Sequence, residues 1–324
     1  MTRTRTALVL GATGGIGGEV ARRLAARGWQ VKALNRKATA QAEPGLNWVQ
    51  GDAMRPADVV AAAEGASLIV HAVNPPGYRR WAELVLPMLD SSIAAARASG
   101  ARILLPGTVY NYGPDAYRHR LTEAAPQNPL TRKGAVRVEM ERRLKAAAGD
   151  GVRTLVVRAG DFFGPRAANN WFSQGLVKPG RPVTRILYPG KRGVGHQWAY
   201  LPDVAETMIR LVEREQELAD FASYHMEGHW DGDGSAMVAA IGRAVGKPAP
   251  RVSAFPWWFA ALASPVVPLF RELREMRYLW QEPVRMDNAQ LKAVLGEEPR
   301  TPLDEAVRET LKGLGALRQG EADR

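Results

Sequence analysis

Short apolar runs alternate with amphipathic segments through the first half of the chain. The runs predict strands, and the segments between them, whose apolar residues recur every three or four positions, predict helices. The predicted strands cover residues 6–10, 30–34, 47–50, 68–73, 102–105 and 153–158, and the predicted helices cover residues 17–27, 56–64, 81–99 and 135–148. Strands that alternate with helices are typical of a parallel sheet covered on both faces. The pattern therefore predicts a doubly wound α/β fold.

The alternation becomes irregular after Gly160, where only residues 203–217, 235–245 and 303–314 predict helices. We expect a sheet domain over residues 1–165 and a smaller substrate-binding lobe over residues 166–324. No clean linker separates them, so the two are predicted to be interleaved, with a strand or helix of the second half returning to the main sheet. Open α/β sheets bind ligands outside the carboxyl ends of their strands, and the lobe is expected to cover that edge.

The amino-acid composition excludes several kinds of active-site chemistry and several kinds of partner. The chain has no cysteine, which excludes disulfides and thiol nucleophiles, and its five histidines show no metal-binding spacing. The net charge of +11 is spread over several helices without a run of five basic residues, so nucleic acid is not an expected partner. The apolar runs at residues 7–10 and 254–270 are too short for a signal peptide and a membrane span, respectively, and the second is expected to form a packed helix pair or a pocket wall. We therefore expect a cytoplasmic protein without stable membrane insertion.

The first predicted strand leads into a loop of sequence GATGGIG, which a helix follows. Gly11 would permit the tight turn, Gly14 would let the backbone approach a pyrophosphate, and Gly17 would let the helix pack closely on the strand. The helix N-terminus then offers N–H groups and a positive dipole end to phosphates. This setting predicts a Rossmann domain that binds NAD(P). Its expected cofactor contacts are Gly11, Thr13, Gly14, Gly15, Ile16 and Gly17.

The end of the second strand indicates which dinucleotide is bound. NAD-binding proteins usually place Asp or Glu there, to hold the ribose hydroxyls. This chain has Asn35 and Arg36 instead, and a guanidinium can pair with a 2′-phosphate through its planar fork. We therefore expect NADP(H) rather than NAD(H). Further cofactor contacts are expected from Asp52, which is placed to accept from the adenine amine, and from Ala53, Ala72, Val73 and Asn74.

These residues resemble the extended and atypical short-chain dehydrogenase/reductase superfamily, in particular its NAD-dependent epimerase/dehydratase branch. The resemblance covers nearly the whole chain, and the matching segments occur in the same order as in the family. They are the glycine loop, Gly51-Asp52, and residues 71–74, 105–113, 158–165 and 198–205. The resemblance implies an enzyme that exchanges a hydride with a nicotinamide. It also suggests, by analogy, a homodimer formed through the long helix at residues 81–99.

The resemblance also implies a Ser or Thr paired with a Tyr-x-x-x-Lys motif, in which the tyrosine is the general acid/base. Thr108 matches the Ser/Thr position. Aligning Pro129 and Glu141 with the flanking Pro and Glu of the family puts Lys133 at the tyrosine position and Arg137 at the lysine position. Thr108, Lys133 and Arg137 are therefore the expected catalytic residues. Thr108 and Lys133 are also expected to contact the cofactor.

Three interpretations of this departure stay open. In the first interpretation, Lys133 is the proton donor, as in the isoflavone-reductase-like group that this arrangement resembles. Alternatively, Tyr110 or Tyr112 takes that role. In the third interpretation the protein binds NADP(H) without catalysis, as regulators of the NmrA type do.

The loop after the sixth strand should face the nicotinamide. The expected substrate residues are Tyr110, Asp161, Trp171 and His196, with Asn169, Asn170 and Trp198 as further polar and aromatic contacts. Aromatic side chains suit a ring-bearing or apolar carbonyl. A nucleotide-sugar would instead need a cationic cluster, for which the candidates are Lys178, Arg181, Arg185, Lys191 and Arg192. We expect an NADP(H)-dependent oxidoreductase acting on a small carbonyl or alcohol, with a nucleotide-sugar epimerase or dehydratase as an alternative.

Overall fold

A parallel sheet forms the centre of the molecule, as the alternating pattern predicts. The computed structural model describes residues 5–37, 43–75, 81–117, 119–167, 170–247 and 250–318. Its strands are β1 (Thr6–Leu10), β2 (Gln30–Asn35), β3 (Leu46–Gln50), β4 (Leu68–His71), β5 (Arg102–Thr108), β6 (Thr154–Ala159), β7 (Asp161–Phe163), β8 (Ile186–Tyr188), β9 (His196–Tyr200), β10 (Phe221–His225), β11 (His229–Asp231) and β12 (Val252–Ala254). The seven-stranded main sheet has the order β3-β2-β1-β4-β5-β6-β10, and each neighbouring pair is parallel. The predicted doubly wound fold is confirmed.

Helices cover both faces of this sheet. They are α1 (Gly15–Ala26), α2 (Pro56–Ala62), α3 (Trp81–Ser99), α4 (Arg132–Gly149), α5 (Leu201–Glu213), α6 (Ala236–Ala244), α7 (Trp257–Ala263), α8 (Pro268–Glu275), α9 (Ala289–Leu295) and α10 (Leu303–Gly313). Ala7 and Val9 of β1 pack into one apolar cluster with α1 and α5, whereas Leu8 and Leu10 pack into another with α2, α3 and α4. Successive side chains of a strand point to opposite faces. Each central strand is therefore buried on both sides.

The last strand of the main sheet comes from the second half of the chain. β10 pairs in parallel with β6, so that Phe221 lies opposite Thr154 and His225 opposite Arg158. α5, also from beyond residue 165, packs on α1. The second half thus completes the sheet and one of its two covering layers.

A smaller lobe stands over the carboxyl edge of the sheet. It contains the three-stranded sheet β11-β9-β7 and the pair β12-β8. Its apolar core is rich in aromatic residues, among them Phe163, Phe172, Trp198 and Trp280. None of the helices in the described part of the chain is both long and apolar enough to cross a membrane.

Three helices, α1, α4 and α5, begin earlier than the sequence predicts, and the shifts in α1 and α4 affect the cavity described below. α1 begins at Gly15 rather than at residue 17, and α4 begins at Arg132 rather than at residue 135. In α4 the reason is a cap, because the Thr131 hydroxyl accepts a hydrogen bond from the Gly134 N–H at 2.9 Å. Lys133 therefore lies in the first turn of a helix rather than in the preceding loop.

Candidate active site

A cavity of about 580 Å³ follows the carboxyl ends of the central strands. Residues from consecutive positions in the sheet line it: Asp52 after β3, Arg36 after β2, Gly11 after β1, Asn74 after β4, Thr108 at the end of β5 and Asp161 after β6. Neighbouring strands are about 4.8 Å apart, so the strands that carry Arg36 and Thr108 are separated by about 14 Å. The cavity is thus an elongated groove with chemically different ends.

The glycine loop lies midway along this groove. Gly11 has φ +91°, and a β carbon there would come within 2.4 Å of the Ala72 carbonyl oxygen. A β carbon at Gly17 would lie 2.3 Å from the Gly11 carbonyl oxygen. Side chains at these two positions would force the loop away from β4 and the helix away from the loop. The two glycines therefore permit the close approach of β1, α1 and β4.

The N-terminus of α1 opens onto the groove, where Gly14, Gly15 and Ile16 line it. The Gly14 N–H donates to the Gly11 carbonyl oxygen at 2.9 Å, which closes the turn. No side chain caps the helix, and its first turn carries no acidic residue. The first N–H groups of a helix need acceptors, and the dipole there favours an anion. This geometry fits the pyrophosphate of a dinucleotide.

Arg36 and Asp52 mark the end of the groove at β2 and β3. Asn35 closes the turn after β2, because its Oδ1 accepts a hydrogen bond from the Lys37 N–H at 2.9 Å. Arg36 is exposed, and its guanidinium forms no ion pair within the described residues. Asp52 Oδ1 accepts from the Met54 N–H at 3.0 Å. This end presents an available guanidinium and no carboxylate at the end of β2.

Thr108, Tyr110 and Lys133 line the groove at β5. The Thr108 hydroxyl oxygen accepts a hydrogen bond from the Tyr110 N–H at 3.2 Å. A β carbon at Gly134 would lie 2.3 Å from the Tyr110 carbonyl oxygen, so this glycine lets the start of α4 lie directly against residues 109–111. Lys133 is buried, and its backbone N–H donates to Glu275 Oε1 at 2.9 Å. The three predicted side chains thus belong to one packed unit.

Arg137 follows Lys133 by one helical turn and also lines the groove. Its Nη1 donates to the Pro106 carbonyl oxygen at 3.3 Å, and its guanidinium lies 5.5 Å from the centre of the Trp81 ring. Burial lowers the pKa of the neighbouring His71 to about 3, and the positive charge of Arg137 contributes to this shift. Arg137 therefore adds a fixed positive charge beside the β4 and β5 strands.

Asp161 lies at the β6 end of the groove and contacts two other predicted residues. Its Oδ1 accepts a hydrogen bond from the Tyr110 hydroxyl at 3.4 Å, and its Oδ2 is 3.0 Å from Nε2 of His196. His196 Nδ1 is 3.1 Å from the Leu279 carbonyl oxygen, and the imidazole stacks on Trp280. Asp161 and Tyr110 line the groove, whereas His196 lies behind Asp161.

Two predicted contacts need correction. Gly17 and His196 do not line the groove: Gly17 packs against the loop, and His196 reaches the groove only through Asp161. The other residues expected to contact the cofactor line it, including Asn35, Ala53, Val73, Asn74, Thr13 and Ile16, and so do the expected catalytic residues and Trp171. Asn170 also lines the groove, whereas Asn169 lies outside the described residues.

Tyr112 and Trp198 are also placed differently from the prediction. The Tyr112 hydroxyl is buried, 2.7 Å from Nε2 of His225 and 3.1 Å from Nη1 of Arg158. Burial raises its pKa above the usual range for tyrosine. Trp198 is fully buried and packs against Phe163. Neither side chain lines the groove.

The cationic cluster suggested for a nucleotide-sugar does not face the groove. Its members, Lys178, Arg181, Arg185, Lys191 and Arg192, are all exposed, and none lines the groove. A contribution that the sequence did not predict comes from α8 and the residue after it: Leu273 and Met276 line the groove, and Glu275 contacts Lys133. The spacing of Phe270, Leu273 and Met276 was the one signal of a helix there.

The model of the family described as "NAD dependent epimerase/dehydratase family" matches residues 7–225. A curated relative, the uncharacterized protein y4nL of Sinorhizobium fredii, is 30% identical over an alignment of 181 residues, and the match covers 49% of this chain and 51% of the relative. The chain therefore spans about half the length of this relative.

Solved structures share the fold over nearly the whole chain. UDP-glucose 4-epimerase of Thermotoga maritima, solved with UDP-glucose, has a TM-score of 0.71 at 16% identity and covers 95% of this chain and 98% of its own. The enzyme WbmH of Bordetella bronchiseptica, in complex with NAD+, has a TM-score of 0.68 at 17% identity with the same coverage, 95% and 98%. At these identities the similarity is one of fold. With the family match over residues 7–225, the chain belongs to the NAD dependent epimerase/dehydratase family.

Proposed function

We propose that this protein is an NADP(H)-dependent oxidoreductase that exchanges a hydride with a small carbonyl or alcohol. The observation that carries the proposal is the order of groups along one groove. An available guanidinium stands after β2, an uncapped helix N-terminus follows β1, and Thr108, Tyr110 and Lys133 stand at β5. This order matches the sequence of 2′-phosphate, pyrophosphate and nicotinamide in the cofactor.

The residues present fit the dinucleotide at three places. Gly11 and Gly17 let the loop and α1 pack closely against β4, and the first turn of α1 has N–H groups without a capping side chain. Arg36 can pair with a 2′-phosphate, for which a carboxylate at the end of β2 would be repulsive. When bound, the nicotinamide supplies or accepts the hydride.

The chain itself would hold the reacting oxygen. Because Thr108 Oγ1 already accepts from the Tyr110 N–H, its hydroxyl hydrogen can point to a substrate oxygen. The ammonium of Lys133 would stabilise negative charge on that oxygen as it develops. The assignment of Lys133 as the proton donor stays a prediction, and it competes with Tyr110.

The walls favour a small, largely apolar substrate. Phe162, Trp171, Leu273 and Met276 line the groove, and its cations among the described residues are Arg36, Lys133 and Arg137. If Arg36 serves the cofactor, little positive charge is left for the diphosphate of a nucleotide-sugar. An epimerase acting on such a substrate is the second candidate, supported by the shared fold of an epimerase solved with UDP-glucose. The cytoplasmic location and a homodimer through α3 stay predictions.

A substrate panel tests the proposal. The wild-type protein with NADPH or NADP+ should turn over aldehydes, ketones or secondary alcohols, with UDP-sugars as the competing arm. Lys133→Met and Thr108→Val should lower kcat. Lys145→Met is the matched control, because Lys145 is exposed on the same helix and does not line the groove. Tight NADPH binding without turnover of any class would contradict the enzyme and support a non-catalytic regulator.

A further inference from the structure

Asp161 in the wall of the groove and His196 behind it form a buried pair. Oδ2 of Asp161 is 3.0 Å from Nε2 of His196, and only 6% and 5% of the two side chains are exposed. Oδ1 of the same carboxylate accepts the hydrogen bond from the Tyr110 hydroxyl at 3.4 Å. A continuous path of hydrogen bonds therefore leads from the groove through Tyr110 and Asp161 to a buried imidazole.

The orientation of the imidazole is fixed by its surroundings. His196 stacks on Trp280 with ring centres 3.8 Å apart and planes 7° apart, and Trp198 packs on it edgewise. Its Nδ1 lies 3.1 Å from the Leu279 carbonyl oxygen. A carbonyl oxygen only accepts hydrogen bonds, so Nδ1 must carry a hydrogen. Nε2 is thereby the atom that faces Asp161.

The pair holds a proton in addition to the one on Nδ1. An ionised carboxylate only accepts, so the contact with Asp161 requires a hydrogen on Nε2 as well. With Asp161 ionised, His196 is an imidazolium whose charge balances the carboxylate. A buried carboxylate without such a partner would be strongly disfavoured by desolvation. The ion pair also holds Oδ2, which leaves Oδ1 for Tyr110.

We propose that Tyr110 and Asp161 carry the proton of the reaction and that His196 positions Asp161; this rests on the proposed oxidoreductase function. In alcohol oxidation, for which a bound nicotinamide would accept the hydride from the alcohol carbon, the O–H bond of the substrate breaks. The proton from that bond goes to the oxygen of Tyr110, and the hydroxyl proton of Tyr110 goes to Oδ1 of Asp161. Carbonyl reduction runs the same transfers in reverse.

This assignment divides the roles at the β5 end of the groove. Tyr110 is the catalytic residue that touches the substrate oxygen, and Lys133 contributes positive charge. Asp161 lines the groove, so it can exchange the transferred proton with water there between turnovers. His196 keeps both ring protons throughout and acts only through Asp161.

The first test needs no substrate and no cofactor. In the ¹⁵N NMR spectrum of histidine-labelled protein near neutral pH, the ring nitrogens of His196 should both be protonated. The signals are assigned by their loss in His196→Gln, because the chain has five histidines. In Asp161→Asn the neutral amide no longer stabilises the charge, and His196 should become singly protonated. A singly protonated His196 in the wild type would overturn the proposal.

The second test uses the turnover of a substrate found in the panel. Tyr110→Phe should lower kcat about 100-fold, which is within the usual contribution of a positioned acid/base. Asp161→Asn keeps the shape of the side chain but cannot take up a proton, and it should lower kcat to a similar extent with little change in KM. The double variant should be no slower than either single variant, because both remove the same path.

The control is Tyr117→Phe, which removes another buried hydroxyl. Tyr117 donates to the Tyr112 carbonyl oxygen and does not line the groove. It should keep the wild-type kcat. Losses that multiply in the double variant, or an Asp161→Asn enzyme with wild-type kcat, would overturn the proton path. A doubly protonated His196 in a protein that binds NADPH but turns nothing over would support the ion pair and contradict the proposed function.

Discussion

Replacing Arg36 by glutamine should weaken the binding of NADPH and leave the binding of NADH unchanged. The change removes a positive charge after β2 while keeping a polar side chain of similar reach. Arg36 is exposed and makes no ion pair within the described residues, so the substitution should leave the fold intact. Its effect is therefore expected on one part of the ligand, the 2′-phosphate.

The size of the effect follows from the setting of the guanidinium. A hydrogen-bonded contact between charged groups contributes about 1.5–3 kcal/mol, and each 1.4 kcal/mol is about a tenfold change in Kd. Because Arg36 is exposed, water and salt screen the pair, and the lower end of that range applies. We expect the Kd for NADPH to rise about tenfold, with a smaller rise at high ionic strength.

Calorimetric or fluorescence titration with both nucleotides measures this change. Lys37→Gln is the matched control, because it removes the same amount of net charge. Lys37 is the exposed neighbour of Arg36 and does not line the groove. If Arg36→Gln weakens NADPH and NADH equally, or if Lys37→Gln has the larger effect, then the assignment of Arg36 to the 2′-phosphate is wrong.

Two further outcomes concern the loop and the buried histidines. Gly17→Ala places a β carbon 2.3 Å from the Gly11 carbonyl oxygen. It should therefore weaken the binding of NADPH and of NADH to a similar degree, in contrast to Arg36→Gln. Unchanged Kd values for both nucleotides would contradict the close packing of Gly17. Burial lowers the pKa of His71 and of His225 to about 3, and that of His229 to about 4. These groups take up protons near their ordinary pKa only when the chain unfolds, so stability is lost as pH falls below about 6.5. Urea unfolding should show a net loss of about 2.5 kcal/mol between pH 7 and pH 5.5, because the imidazolium proposed for His196 offsets the contribution of one of these three groups. The loss should be unaltered in a variant of the exposed His119, whereas equal stabilities at the two pH values would refute it.

The sequence was sufficient for the parts of the fold that depend on local pattern. β1 to β6 and the helices between them have strong alternation, and the end of each strand indicated which residues would meet at the carboxyl edge. Because strand order follows the dinucleotide-binding pattern, Arg36, the glycine loop and Thr108 could be expected to share one groove from the pattern of residues alone.

What the sequence could not supply depends on pairing between distant segments. The strand β10 has the sequence FASYH, whose weak apolar pattern does not distinguish it from a loop, and it is fixed by its pairing with β6. The contact between Asp161 and His196 follows from the pairing of β7 with β9, which lie far apart in the chain. The apolar pattern of residues 254–270 indicated a packed helix pair or a pocket wall, and α7 and the start of α8 lie there. The exposure of Trp258, Leu262 and Val266 on this segment could not be predicted, because it runs against the usual pattern of burial.

Binding of a phosphorylated nicotinamide dinucleotide in the groove is the claim on which the proposed chemistry depends. Side-by-side titration of the wild-type protein with NADPH and NADH tests it. The order of groups from Arg36 to Thr108 predicts saturable binding of one NADPH per chain, with a lower Kd for NADPH than for NADH. Tighter binding of NADH would contradict the assignment of Arg36, and the absence of saturable binding of either nucleotide would contradict both the cofactor and the function proposed for the groove.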